Sequence, residues 1–138
     1  MPHDEIQFLD LGSSLRQDER GFVYFPFQHL PESLPLEDLG ASFHLISIAP
    51  GQVRGQHRHP QKTEWLYVFH GQGLLVWRDT DNLPHQRLLS DQRTLVIIPP
   101  GIPHALQNTG PAILYLLAWR GAPQSGGAEP DTVFDPLI

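Results

Sequence analysis

Apolar positions along this chain come in short runs separated by turn residues. Runs at Ile6–Leu9, Phe22–Phe25, Ser42–Ile48, Trp65–Phe69, Leu74–Trp77, Thr94–Ile98 and Ala112–Trp119 are rich in β-branched and aromatic side chains, and they read as strands. Between them stand Pro50-Gly51, Gly71-Gln72-Gly73, Asp79–Pro84, Pro99-Pro100-Gly101 and Asn108–Pro111, all turn chemistry. Strands at this spacing predict an all-β sandwich, barrel or jelly roll. The one stretch with room for a short helix lies near Leu34–Leu39, where prolines interrupt it. In Glu64–Phe69, period two puts Glu64, Leu66 and Val68 on one face and Trp65, Tyr67 and Phe69 on the other. Three bulky aromatics need cover, from the second sheet of a sandwich or from a second subunit.

Composition narrows this picture. The 138 residues fit one domain, with a motif-bearing core expected over 41–119. Twelve glycines and fourteen prolines exclude a helix bundle. Residues 121–129 (GAPQSGGAE) have the composition of a flexible tail. Residues 130–138 turn apolar again, so they are expected to dock back onto the body or onto a partner. A formal charge of −6 does not attract phosphate backbones, which argues against nucleic-acid binding. The absence of cysteine excludes disulfides, iron–sulfur clusters and thiolate zinc sites. The N-terminus carries no signal-peptide pattern, and the longest apolar stretch, Ala112–Trp119, is too short to span a bilayer. A soluble cytoplasmic protein is expected.

The histidines carry the chemistry. His57 and His59 are two apart, so on a strand both imidazoles point the same way. Arg58, between them, points outward. Glu64 is an odd step from His59, but Pro60–Thr63 reads as a turn that resets the phase. His104 follows a Pro-Pro-Gly turn and comes from a different strand. Three imidazoles and one carboxylate make a suitable shell for a divalent transition metal such as Zn, Fe, Mn or Ni. On an octahedral ion they leave positions open for water, substrate or dioxygen. His3, His29, His70 and His85 lie in polar, loop or turn surroundings and read as surface residues. Asn108 reads as a turn cap.

The same residues resemble a known pattern. Gly51-x5-His57-x-His59-x4-Glu64-x6-Gly71 matches the first signature of the cupin superfamily at every fixed position. Pro99-x-Gly101-x2-His104-x3-Asn108 matches the core of the second, with Arg93 where an upstream glycine is expected. The chain resembles a small single-domain cupin. That resemblance implies a double-stranded β-helix, or jelly-roll barrel, with the metal in its mouth and His57, His59, Glu64 and His104 as ligands. More narrowly, Asp18–Phe22 and Val53–His57 are similar to nucleotide-sugar epimerases of the cupin class. His59–Glu64, Ile98–His104 and Pro130-Asp131-Thr132 resemble the metal-binding cupin module of capsular-polysaccharide sugar reductase/epimerases.

The resemblance implies a sugar or sugar-nucleotide epimerase or isomerase, in which a metal stabilises an enolate while side chains move a proton. The residues do not name the base. Tyr24, His44, Lys62 and Tyr115 are ionisable and near strands, and Arg54 suits a phosphate or carboxylate. Two other functions compete: an Fe(II)-dependent dioxygenase-type oxidoreductase, and a non-catalytic barrel binding a sugar or other small molecule. A small-molecule substrate, no membrane partner and a homodimer complete the expectation.

Overall fold

The computed structural model describes residues 4–29, 36–123 and 130–138. Two five-stranded antiparallel sheets face each other. The first takes β1 (Gln7–Asp10), β9 (Thr94–Ile98), β6 (Glu64–His70), β11 (Leu114–Arg120) and β4 (His44–Ile48), in that spatial order. The second takes β12 (Val133–Phe134), β5 (Val53–Arg58), β10 (His104–Asn108), β7 (Gly73–Arg78) and β8 (Pro84–Leu89). A small hairpin, β2 (Arg16–Asp18) and β3 (Gly21–Val23), lies apart, and one helix, α1 (Leu36–Ser42), precedes β4. The strand order is the jelly-roll topology of the double-stranded β-helix that the two signatures imply. Strands from both chain ends, β1 and β12, extend the sheets beyond residues 41–119.

Alternation along each strand divides the apolar residues into two cores. Ile48, Leu66, Val68, Val96, Ile98, Leu114 and Leu116 point between the sheets and meet Leu75 and Leu106 from the opposite side. Trp65, Tyr67, Leu95 and Trp119 point away from the second sheet. Their cover comes from Leu11, Leu15 and Leu39, with Tyr24 and Phe43 packed alongside. The N-terminal segment and α1, rather than the second sheet, therefore shield Trp65 and Tyr67. The inter-sheet space is already filled by aliphatic side chains, and wide rings stack better outside it: Trp65 and Trp119 lie parallel, 6.4 Å apart.

Some expected elements differ. The strand from Ser42 starts at His44, because Ser42 closes α1, its hydroxyl donating to Arg120 O at 2.9 Å. Strand β8 follows the expected turn Asp79–Pro84, in a stretch where the sequence predicts no strand. Its residues are almost all exposed, so no apolar alternation marks it. Residues 34 and 35 of the expected helix, and 124–129 of the expected tail, lie outside the described residues. Residues 130–138 do dock on the body, through β12. Among the described residues, no helix is long and apolar enough to cross a membrane.

Candidate metal centre

Strand β5 delivers His57 through a bulge. His104 pairs with His57, but Ala105 pairs with Gly55, so Gln56 is the extra residue. Both bulge residues are left-handed, Gly55 at φ +95° and Gln56 at φ +58°. A β-carbon at Gly55 would sit 3.0 Å from His104 O, so glycine is required for this close approach. His59 lies just past β5. Glu64 opens β6 on its inward face, after the turn that resets the phase. The turn before His104 is tied to the first histidine pair, Gly101 N donating to His59 O at 2.8 Å.

These elements bring His57, His59, Glu64 and His104 together. One ligand atom from each lies within 4.8 Å of all the others, a spread suited to a single cation. His59, Glu64 and His104 are buried, and His57 is half-buried. His104 Nδ1 is 2.9 Å from Ile102 O, and His59 Nδ1 is 3.1 Å from Asp131 O. A carbonyl only accepts, so both Nδ1 atoms carry the proton. In a neutral ring each Nε2 is then a lone pair. These lone pairs face the carboxylate: His104 Nε2 lies 2.9 Å from Glu64 Oε1, and His59 Nε2 lies 3.2 Å from Glu64 Oε2. His59 Nε2 is buried and has no hydrogen-bond partner.

That arrangement is repulsive unless both rings take a second proton or a cation lies among them. Burial, with His104 and His59 beside it, pushes His57 down to about 4. Burial pushes Glu64 up, but the two imidazoles beside it, His104 and His59, outweigh that and hold the carboxyl below its ordinary range. Three imidazoles and one carboxylate within reach of a single point thus fit a divalent transition metal.

The cluster opens onto a cavity of about 80 Å³ between the sheets. Ile46, Ile48 and Leu116 line its apolar part, and His44, Arg54 and Arg120 its polar part. Arg54 Nε donates to Ser47 O at 2.9 Å. Arg120 is held between acids, Nη1 3.6 Å from Glu64 Oε2 and Nε 3.7 Å from Asp131 Oδ2; its Nε is buried without a hydrogen bond. A wider hollow of about 640 Å³ along β2–β3 has Asp18 as its one possible metal ligand, already paired with Arg20 at 2.5 Å.

Of the four candidate bases, His44 alone lines the cavity. Lys62 pairs with Asp131 at 2.6 Å, beside His59. Tyr24 packs on Tyr67 with tilted rings in the outer core, and Tyr115 lies against Phe69 on the outer face. Both stand on the side of the first sheet away from the cavity and cannot reach it. Arg58 points outward to Asp135. His70 and His85 are exposed, whereas His3 and the side chain of His29 lie outside the described residues. Asn108 caps its turn, Oδ1 accepting from Gly110 N at 2.9 Å. Arg120 was not among the sequence candidates. Its signal was available: it continues the inward series Leu114, Leu116, Ala118.

The chain matches the family described as the polysaccharide biosynthesis C-terminal domain over residues 16–133. Among curated proteins, it is 34% identical over 108 residues to germin-like protein 3-8 of Oryza sativa subsp. japonica, covering 78% of this chain and 47% of the relative. The chain spans about half the length, or less, of the curated relatives it matches. Two solved structures share the fold. A 3,4-ketoisomerase from Helicobacter canadensis superposes with TM-score 0.70 at 18% identity, covering 96% of this chain and 92% of that one. The capsular polysaccharide assembling protein CapF from Staphylococcus aureus superposes with TM-score 0.61 at 22% identity, covering 89% of this chain and 32% of that one.

Proposed function

We propose, from the premise that this chain belongs to the polysaccharide biosynthesis C-terminal domain family and is a small cupin, that it is a metal-dependent isomerase or epimerase of keto-sugar nucleotides. His57, His59, Glu64 and His104 are its metal ligands, and the chain acts as one cupin unit. The observation that carries this is the pair of buried Nε2 lone pairs aimed at both oxygens of Glu64, beside a cavity with cationic walls. A metal bound there supplies a Lewis acid for a substrate keto oxygen.

The chain's own residues do the rest. The hydrogen bonds from Nδ1 of His59 and His104 fix the tautomers, so Nε2 is free in both rings. Arg54 and Arg120 attract and orient an anionic oxygen. His44 Nδ1 donates to Ser42 O at 2.6 Å, which leaves Nε2 as the proton acceptor at the cavity wall. Leu116, Ile46 and Ile48 keep bulk water from the inner end. The small cavity admits the reacting part of a sugar, and the nucleotide stays outside at the mouth. The ketoisomerase likeness supports this class of substrate.

The test is solvent exchange. Metal-loaded protein in deuterated water, given nucleoside-diphosphate keto-sugars, is expected to exchange the proton α to the keto group, followed by NMR. His44→Asn is expected to slow that exchange at least about 100-fold with metal content unchanged. A metal-containing protein that leaves every such proton in place overturns the isomerase reading. A homodimer belongs to this proposal too. Trp65 and Tyr67 are already covered within the chain, so the contact falls to the exposed Leu45 and Tyr115; a monomer by light scattering removes it.

A further inference from the structure

The C-terminal segment touches the cluster where the ligands are weakest in support. Val133 pairs with Arg58 and Phe134 with His57, so β12 lies directly along the ligand strand. Just before it, Asp131 O and Thr132 Oγ1 lie 3.1 and 3.2 Å from His59 Nδ1. His59 stands past the end of β5, with no sheet partner of its own, and these two atoms set its ring orientation. The Asp131 carboxylate is drawn to the same place by Lys62 at 2.6 Å and by Arg120, which also leans toward Glu64.

The far end of the segment is held by the bulge that positions His57. Gln56 O accepts from Asp135 N at 2.7 Å. Gln56 Oε1 accepts from Leu137 N at 2.7 Å and Ile138 N at 3.1 Å, and its Nε2 donates to Ile138 O at 2.8 Å. Asp135 also pairs with Arg58 and Arg78. These contacts are polar. Phe134 is 76% exposed and Ile138 55%, so little apolar burial holds the segment down. A strap held by a two-residue ladder and a few polar contacts opens at low cost.

We infer that the C-terminal strap and the metal cluster are one coupled unit: docking of residues 131–138 orients His59 for the cation, and the bound cation closes the strap. This rests on the metal reading above. Thr132 and the Asp131 carbonyl are positioning groups, acting through His59. Coupling of this kind is reciprocal. Whatever factor docking adds to metal affinity, metal adds to docking. Outer groups that hold a ligating histidine are worth about 10–100-fold in metal affinity.

The experiment uses Zn²⁺ as the probe, with affinity measured by chelator competition and strap opening by amide hydrogen exchange at Asp135, Leu137 and Ile138. A chain ending at Glu129, and separately Thr132→Val and Asp135→Ala at full length, are compared with the parent. The expected result is about 10–100-fold weaker Zn²⁺ binding on truncation, and a smaller loss in each point variant. In the parent, Zn²⁺ slows exchange at the three strap amides by a similar factor, and His104→Ala abolishes that slowing. Parent-like Zn²⁺ affinity in both point variants, or strap exchange indifferent to saturating Zn²⁺, overturns the coupling while leaving the metal reading intact. A parent that binds no Zn²⁺ overturns both. Should the truncated chain lose its near-ultraviolet tryptophan signal, the two point variants decide.

Discussion

At Glu64, burial and the neighbouring imidazoles of His104 and His59 pull in opposite directions, and the imidazoles win. The carboxylate stays ionised with two imidazoles against it, and that charge is what a cation answers. On the proposed metal reading, removing a ligand therefore costs the ion more than the fold. His59→Ala and His104→Ala are each expected to lower bound metal at least about tenfold by elemental analysis, with unchanged tryptophan circular dichroism. Asn108 is the contrasting case. Its Nδ2 donates to Ile48 O and Ala112 O, each at 2.8 Å, and its Oδ1 caps Gly110. Asn108→Ala strands buried carbonyls and is expected to cost about 3 kcal/mol in urea unfolding. The convergence of His57 with His59 and the turn cap at Asn108 were legible from spacing, because HxH alternation and an Asn before a turn are local rules. Arg120 was less legible. Its importance comes from Glu64 and Asp131, far away in sequence, meeting around it.

Among the elements, β5 carries a tight backbone constraint at its bulge. Gly55 and Gly51 both have positive φ, +95° and +80°, but only Gly55 has backbone within 3.1 Å of a β-carbon. Gly51→Ala is expected to cost about 1–2 kcal/mol for the left-handed backbone alone. Gly55→Ala is expected to cost more, about 3 kcal/mol, and also to weaken metal binding, since the crowded atom is His104 O. Parallel urea titrations and metal analysis of the two variants check the contrast. The turn before β9 shows why the missing glycine at Arg93 does no harm. The left-handed residue there is Gln92, at φ +55°, held by Arg93 N donating to Asp91 Oδ1 at 2.9 Å and by Tyr67 donating to Gln92 O at 2.7 Å. Strands with apolar alternation were legible, and the exposed edge strand β8 was not. An edge strand is made by its neighbour's unpaired backbone, which leaves no mark on side-chain pattern.

For the whole molecule, a cation that binds only the folded cluster stabilises the fold by mass action. At about 1,000 times its dissociation constant that is about 4 kcal/mol, or about 14 °C in Tm for a chain of this size. Stripping metal from the parent with a chelator is expected to lower Tm by that order, by calorimetry, and to leave His104→Ala unmoved. By itself the sequence determined the class of fold and the two signature turns, because strand alternation and turn chemistry act over a few neighbouring positions; the identity of the four cluster residues came from the resemblance to the two spaced signatures. Only the tertiary structure decided that the aromatic face is covered by the chain's own N-terminal segment, that Arg120 and His44 face the cavity, and that the C-terminal strap holds His59. Those outcomes depend on which segments far apart in the chain come to lie together. That is settled by filling the space between two closed sheets and pairing buried charges, and no short stretch of residues contains it.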